Sequence, residues 1–306
     1  MQPDKLIVKD HTLEWGQRTY VMGILNVTPD SFSGDGLLEG GGLPSVPSVE
    51  SHSLSRSLEQ ARRFVEAGVD ILDVGGESTR PGSQPISARE EIERVVPVIR
   101  AIAQRFEVLI SVDTYKAEVA EASLDAGAHM VNDVWGLRAD PDLGSLVAGK
   151  AVPIILMHNR SSWVHAQIKE RLGGRYVGVP YDNLIIDIRR ELLESVDLAH
   201  SAGIPDERII LDPGIGFGKT VEQNLELLDR VDEICSLGYP VLIGPSRKSF
   251  IGYSLDLPPN QRLEGTTAAV VVGIVRGADI VRVHDVEFIA RVVRMTDAIV
   301  RRKPAS

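Results

Sequence analysis

Polar side chains stand at the ends of most short apolar runs in this chain of 306 residues. Asn26, Asp113, Asn132 and Asp212 each end a run that is rich in branched aliphatic residues. Their carboxylate and amide groups suit a flat heterocycle that carries amino and ring N–H donors. Any one of them alone is more typical of a helix N-cap. The prediction of a binding site therefore depends on the fact that several strand ends carry such a residue.

A second set of polar residues supplies cations. Arg282, His284 and Arg80 suit a phosphate or pyrophosphate, because such side chains donate hydrogen bonds to anionic oxygens. Lys248 and Ser249 begin a predicted helix, whose first backbone N–H groups favour an anion such as a carboxylate. The two sets together predict a site with a heterocycle pocket and an anion pocket.

The sequence gives weaker signals for metals and for a phosphate loop. It contains no cluster of His, Cys and carboxylate residues with transition-metal spacing. Asn26 could bind Mg²⁺ if substrate phosphates and water completed the coordination shell. The glycine-rich segment 214–219 lacks Walker A spacing. We interpret this segment as a loop that lets backbone approach a planar ligand.

Strand-like and helix-like segments alternate along the chain. The predicted strands are residues 20–25, 69–74, 108–112, 129–131, 152–157, 208–211, 240–243 and 279–283. Such alternation implies parallel strands with right-handed crossovers, and eight units close naturally into a barrel. We therefore predict an α/β protein, a single (β/α)8 TIM barrel that spans residues 1–306. An open, doubly wound sheet is the alternative.

Other segments add to the predicted barrel. Residues 1–18 predict a β-hairpin that could cap the bottom of the barrel. Two long segments, a predicted mobile loop over residues 27–53 and a second loop over residues 158–183, follow the first and fifth strands. They would emerge at the carboxyl ends of the strands, where barrel active sites lie, and long loops there are often lids or binding loops.

Composition excludes several classes of function. The formal net charge of −10 disfavours nucleic-acid binding. No apolar run reaches the roughly 18 residues of a membrane span, and the first ten residues lack a signal-peptide pattern. The single cysteine, Cys235, allows no intramolecular disulfide and is expected to be a packed thiol. We therefore expect a cytoplasmic protein without nucleic-acid or membrane partners.

Taken together, these motifs resemble the dihydropteroate synthase family. The resemblance spans residues 21–299 and is carried by segments 23–33, 73–82, 111–114, 132–133, 156–158, 212–219, 246–249 and 282–285. It implies 6-hydroxymethyl-7,8-dihydropterin pyrophosphate and para-aminobenzoate as substrates, and 7,8-dihydropteroate and pyrophosphate as products. It also implies Mg²⁺ as cofactor, a homodimer, and inhibition by sulfonamides that compete with para-aminobenzoate.

The resemblance also implies roles for individual residues. The pterin pyrophosphate would be bound by Thr79, Asp113, Asn132, Met157, Asp212, Lys248, Arg282 and His284. The para-aminobenzoate site would comprise Phe32, Thr79, Arg80, Pro81, Phe217 and Ser249. Asn26 would be the metal ligand. The catalytic residues would be Asp30, Asp212, Lys248 and Arg282.

The implied mechanism is loss of pyrophosphate followed by attack of the arylamine, with no protein nucleophile. Two features depart from the family, a longer first loop and the segment 159–163. Two alternatives remain at this stage. One is a methyltetrahydrofolate-binding corrinoid methyltransferase, which would not need the anion pocket at residues 282–284. The other is an inactive pterin-binding paralogue, which would not need Asn26, Asp212, Lys248 and Arg282 intact.

Overall fold

The computed structural model describes residues 3–27, 49–78, 83–162, 166–169, 171–177 and 179–301. Its strands are β1 (Lys5–Val8), β2 (His11–Glu14), β3 (Tyr20–Asn26), β4 (Ile71–Gly75), β5 (Leu109–Asp113), β6 (Met130–Asp133), β7 (Ile154–Met157), β8 (Ala166–Lys169), β9 (Gly173–Tyr176), β10 (Ile209–Asp212), β11 (Leu242–Ile243) and β12 (Ile280–Val283). Its α-helices are α1 (Val49–Glu66), α2 (Ala88–Ala103), α3 (Ala117–Ala126), α4 (Leu143–Lys150), α5 (Leu184–Ser201), α6 (Val221–Asp229), α7 (Val231–Cys235), α8 (Ser249–Leu255), α9 (Leu263–Val275) and α10 (Val286–Val300). In the part of the chain that these ranges cover, no helix combines the length and apolar character needed to cross a membrane.

Within the described residues, eight parallel strands form one sheet in the order β10-β7-β6-β5-β4-β3-β12-β11. A parallel bridge between Leu211 and Val241 joins the two outer strands, β10 and β11. The backbone N–H of Leu211 also donates to the carbonyl of Pro240 at 2.9 Å. The sheet therefore curls round into a barrel. The predicted TIM barrel is confirmed, and the open sheet is not the fold.

The ends of the helices follow local side-chain chemistry. Ser87 caps α2 by accepting a hydrogen bond from the N–H of Glu90. Thr220 and Gln223 form a reciprocal capping box at the start of α6. α3 ends at Gly127, whose φ of 118° is open to glycine without strain. These caps fix where each helix leaves its βα loop.

The interior of the barrel changes from apolar to polar along the strands. Near the bottom, Met22, Ile71 and Met130 belong to a buried cluster that includes Leu13 and Trp15 of the hairpin β1–β2. The hairpin therefore packs under the barrel. Side chains two positions apart on a strand share a face.

The next inward-facing positions therefore carry the polar residues. Two positions beyond Ile71, Met130 and Ile280 of the buried cluster come Asp73, Asn132 and Arg282. Ile210 is likewise followed by Asp212 and Ile155 by Met157. The alternation of the strands thus delivers the predicted site residues to the mouth of the barrel.

Parts of the two segments predicted as long loops form regular secondary structure, and part of the first lies outside the described residues. Residues 28–48 lie outside the described residues, and α1 begins at Val49, inside the segment predicted as a loop. The predicted loop over residues 158–183 contains the antiparallel hairpin β8–β9, which was not predicted. Its strands are only four residues long, and sequence alternation is weak over so short a span. The hairpin contacts α8, since the Tyr253 hydroxyl donates to the carbonyl of Gly173 at 3.3 Å.

Candidate active site

Arg282 is held at the mouth of the barrel by two carboxylates. Its Nε donates to Asp73 Oδ2 at 2.6 Å, and its Nη2 donates to Asp113 Oδ2 at 2.5 Å. Asn132 Nδ2 donates to the same oxygen of Asp73 at 3.0 Å. Asp73 is fully buried, so its role is to fix Arg282 and Asn132. Sequence reasoning did not foresee that Asp73 orients these two residues.

This cluster has one guanidinium for two carboxylates. Burial raises the pKa of Asp113 to about 7, Arg282 acts against the rise, and the negative charge of Asp73 adds to it. Burial also works against the charge on Arg282, but Asp73 and Asp113 outweigh it and raise the guanidinium pKa. Arg282 is therefore a permanent cation, and Asp113 is a carboxyl that can exchange a proton near neutral pH.

Asp212, the last residue of β10, is held by backbone contacts. Its Oδ1 accepts a hydrogen bond from the N–H of Gly214 at 2.7 Å. Its own carbonyl accepts from the N–H of His158 at 2.9 Å. Burial raises the pKa of the Asp212 carboxyl, and the charge of Lys248 is the largest influence against that rise. A buried carboxylate beside an amine is thus present on the β10 side of the mouth.

Lys248 lies along the glycine-rich loop. Its Nζ donates to the carbonyl of Ile215 and sits 4.2 Å from the centre of the Phe217 ring. Gly216 has a φ of +83°, and a Cβ there would collide with the Lys248 stem. Burial lowers the pKa of Lys248 to about 7, while Asp212 acts to raise it. The loop therefore holds the amine close to Asp212.

His284 follows β12, the strand that carries Arg282, and contacts Ser246. The Ser246 hydroxyl lies 3.0 Å from His284 Nδ1, and the backbone N–H of His284 donates to Ser246 Oγ at 3.1 Å. The neighbouring Arg247 pairs with Asp285 at 2.5 Å. Ser249 is the first residue of α8, as predicted for the residue after Lys248.

Asn26 ends β3 and is half-buried opposite Gly75 of β4. Among the described residues, no group of three or more His, Cys, Asp or Glu side chains could hold a metal ion. Asn26 therefore offers one amide oxygen. That donor set fits only a hard cation that brings most of its other ligands as phosphate oxygens and water.

The structure brings most of the predicted pterin residues together. Those that lie at the mouth are Asp113, Asn132, Met157, Asp212, Lys248, Arg282 and His284. Five predicted residues lie outside the described part of the chain, namely Asp30, Phe32, Thr79, Arg80 and Pro81. Asp133 has a structural role, because its carboxylate accepts hydrogen bonds from the backbone N–H groups of Trp135 and Leu137.

Sequence reasoning missed a buried network behind the mouth. His158 was expected at the end of its strand, but its side chain is buried between Glu191 and Lys219. Lys219 is itself buried. The only signal in the sequence was the position of Lys219 at the end of a glycine-rich run, which does not indicate burial.

Comparison with known proteins identifies the family. A family model described as pterin binding enzyme matches residues 22–284. The dihydropteroate synthase of Clostridium beijerinckii is 47% identical over 288 residues, which cover 94% of this chain and 96% of that protein. The chain belongs to the dihydropteroate synthase family. This confirms the resemblance inferred from the motifs and decides against the corrinoid methyltransferase alternative.

Solved structures of dihydropteroate synthases agree with the fold. One from Clostridium difficile, determined in the presence of pteroic acid, has a TM-score of 0.80 and 45% identity, and covers 94% of this chain and 99% of that chain. One from Xanthomonas albilineans, determined with 4-aminobenzoic acid, has a TM-score of 0.83 and 36% identity, and covers 99% of this chain and 100% of that chain. The fold is thus shared with these dihydropteroate synthases over nearly the full length of the chain.

Proposed function

We propose that the chain joins 6-hydroxymethyl-7,8-dihydropterin pyrophosphate to para-aminobenzoate and releases 7,8-dihydropteroate and pyrophosphate. The observation that carries the proposal is the cluster of charges at the mouth of the barrel, where the carboxyl groups of Asp113 and Asp212 lie together with the Arg282 guanidinium, which donates to Asp113. Relatives solved with pteroic acid and with 4-aminobenzoic acid support the same classes of ligand.

The pterin ring would lie against Asp113, Asn132 and Asp212, with Met157 opposite Asp212 in the barrel register. The carboxylates accept hydrogen bonds from the amino and ring N–H groups of a pterin. When pyrophosphate leaves, positive charge spreads from the exocyclic methylene into the ring. Buried carboxylates already in place would stabilise that charge without reorganising.

The departing pyrophosphate would be held by Arg282 and His284, with Thr79 as a further contact. Asp73 anchors Nε of Arg282. Nη2 of Arg282 can then leave Asp113 and donate to a phosphate oxygen, while the Asp113 carboxylate accepts from the pterin. The guanidinium thus stays in place through the reaction and offsets the charge that develops on the leaving group.

Mg²⁺ is the proposed cofactor and would be bound together with the pyrophosphate. Asn26 would hold it, with substrate oxygens and water as the remaining ligands. When bound, the ion would neutralise negative charge on the leaving pyrophosphate. Asp30, which follows Asn26 in the first loop, would act in the same region.

Para-aminobenzoate would bind at the outer side of the mouth. Of its predicted residues the structure describes Phe217 and Ser249, which flank Lys248. The others are Phe32, Thr79, Arg80 and Pro81, which lie outside the described residues. The arylamine nitrogen then attacks the exocyclic methylene, so no protein nucleophile is required.

A homodimer in the cytoplasm completes the proposal. α9 and α10 pack on each other and expose Val275, Met295 and Ile299 at 57%, 63% and 55%. These exposed apolar side chains are the candidates for the dimer interface. We expect sedimentation to give twice the chain mass of 33.3 kDa, and a monomer at micromolar concentration would contradict the dimer.

The proposed reaction is tested by incubating the protein with the pterin pyrophosphate, para-aminobenzoate and Mg²⁺ and measuring pyrophosphate and dihydropteroate. We expect equal amounts of both products, and little turnover when Arg282 is changed to Met. The matched control is Arg230→Met, which removes an exposed arginine paired with Glu226 and should leave turnover unchanged. Absence of both products from the wild type would refute the proposed function.

A further inference from the structure

Lys219 carries a buried amine that faces away from solvent, and burial lowers its pKa well below the usual value while the charge of Asp212 acts to raise it. Its Nζ lies 3.0 Å from His158 Nδ1, 2.9 Å from the carbonyl of Gly214 and 3.1 Å from the carbonyl of Phe217. An ammonium has three hydrogens to donate, and these contacts supply three acceptors. The side chain is only 2% exposed, so its contacts are all internal and it cannot bind a substrate itself.

His158 is oriented to accept from Lys219. Its Nε2 lies 3.0 Å from Glu191 Oε2, and a carboxylate can only accept. Nε2 therefore carries the hydrogen and Nδ1 is free to accept. Burial and, after it, the charge of Lys219 lower the pKa of His158 to about 3, which agrees with a neutral ring. Arg160 in turn binds Glu191 through both oxygens.

The same network encloses the glycine-rich loop over residues 214–219. Gly214 and Gly218 have φ values of +69° and +60°. A Cβ on Gly214 would collide with the carbonyl of His158, and one on Gly218 would collide with the backbone of Arg160. Tyr181, over which Arg160 stacks at 4.2 Å, donates to the carbonyl of Gly218 at 3.2 Å.

The opposite side of this loop faces the mouth of the barrel. Lys219 binds the carbonyls of Gly214 and Phe217, so it closes the loop upon itself. The residues between them present the carbonyl of Ile215 and the ring of Phe217 to Lys248. The position of the Phe217 ring therefore depends on a contact made behind it.

We propose that Lys219, oriented by His158, is a positioning residue that fixes the Phe217 ring for binding of the arylamine substrate. This inference rests on the proposed function, which places Phe217 against para-aminobenzoate. Of the residues proposed to contact the pterin pyrophosphate, Asn132 and Arg282 are held by Asp73, and Asp113 is held by Arg282, independently of this loop. Asp212 lies on β10 and takes one hydrogen bond from the loop, from the N–H of Gly214. Loss of the Lys219 contacts should therefore affect the arylamine more than the pterin.

The first test is Lys219→Met, which keeps the length of the stem and removes the donors. We expect the KM for para-aminobenzoate to rise about 10-fold, as for the loss of a charged hydrogen bond, and the Kd for the pterin to change less than about 3-fold. In a Phe217→Ala background the same change should raise that KM less than about 2-fold. Equal effects on both ligands, no effect on either, or the same factor in both backgrounds would overturn the inference.

A matched pair at His158 decides the matter if Lys219→Met does not fold. His158→Asn keeps an acceptor near the position of Nδ1, whereas His158→Leu of similar size has none. We expect the KM for para-aminobenzoate to rise clearly more in the Leu variant than in the Asn variant. Equal values in the two variants would overturn the inference. A wild type without turnover would instead refute the proposed function, so the two failures are distinguishable.

Discussion

Asp212→Asn is the substitution that most sharply separates a pterin-binding carboxylate from a structural one. Asp212 is 5% exposed, and its Oδ1 accepts from the N–H of Gly214 at 2.7 Å. Asparagine has the same shape and can keep that hydrogen bond through its own oxygen. The substitution therefore removes the charge and one acceptor, and leaves the turn after β10 in place.

The expected loss follows from the chemistry of that acceptor. A hydrogen bond to a charged group contributes roughly 1.5–3 kcal/mol. A factor of ten corresponds to about 1.4 kcal/mol, so the Kd for the pterin should rise about 10- to 150-fold. Burial already disfavours the ionised Asp212 carboxyl, as its raised pKa indicates. The neutral variant should therefore be no less stable to unfolding than the wild type.

The assay is calorimetric titration of the pterin pyrophosphate into each variant, with thermal unfolding measured on the same samples. Asp125→Asn is the matched control, because Asp125 is exposed and pairs only with Lys150 among its described contacts. The control should bind the pterin as the wild type does. A folded Asp212→Asn protein whose Kd is unchanged would refute the assignment of Asp212 to the pterin.

Three further predictions concern protonation, stability and inhibition. Because burial raises the pKa of Asp113 from 3.8 to about 7, the folded state binds a proton that the unfolded state has lost, and stability falls as pH rises through that window. The unfolding free energy of Asp113→Asn should not show this fall, which is at most about 1.4 kcal/mol per pH unit in the wild type. If denaturant titrations give the same pH slope for the wild type and the variant, the raised pKa of Asp113 is contradicted. Leu13→Ala should lower the unfolding free energy by roughly 2–5 kcal/mol, because Leu13 is buried under the barrel. It should leave kcat unchanged, and a loss of kcat without a loss of stability would contradict a purely structural role of the hairpin. Sulfonamides should inhibit in competition with para-aminobenzoate, so excess para-aminobenzoate should restore the rate, and inhibition that persists at saturating para-aminobenzoate would exclude a shared site.

Strand positions and strand-end residues could be predicted because they depend on local pattern. Asp212 and Asp113 end runs of branched aliphatics, and the period of a strand places such residues at the mouth once the barrel closes. Cys235 was expected to be packed, and burial indeed raises its pKa to about 12. These features need only the sequence of one element.

The pairings between distant elements could not be predicted in the same way. Asp73 and Arg282 are 209 positions apart, and their contact depends on the pairing of β12 with β3, the neighbour of β4. Lys219 is a charged residue in a glycine-rich segment, where exposure is the ordinary expectation. Its burial follows from acceptors that His158 and the loop carbonyls supply only after folding.

We propose that the mouth of this barrel holds the pterin ring on Asp113, Asn132 and Asp212 and its pyrophosphate on Arg282. The most direct test is a crystal structure of the protein soaked with the pterin pyrophosphate. We expect ring nitrogens within hydrogen-bonding distance of the two carboxylates, and Arg282 Nη2 bound to a phosphate oxygen instead of Asp113. A ring bound elsewhere, with the Arg282–Asp113 pair intact, would contradict it.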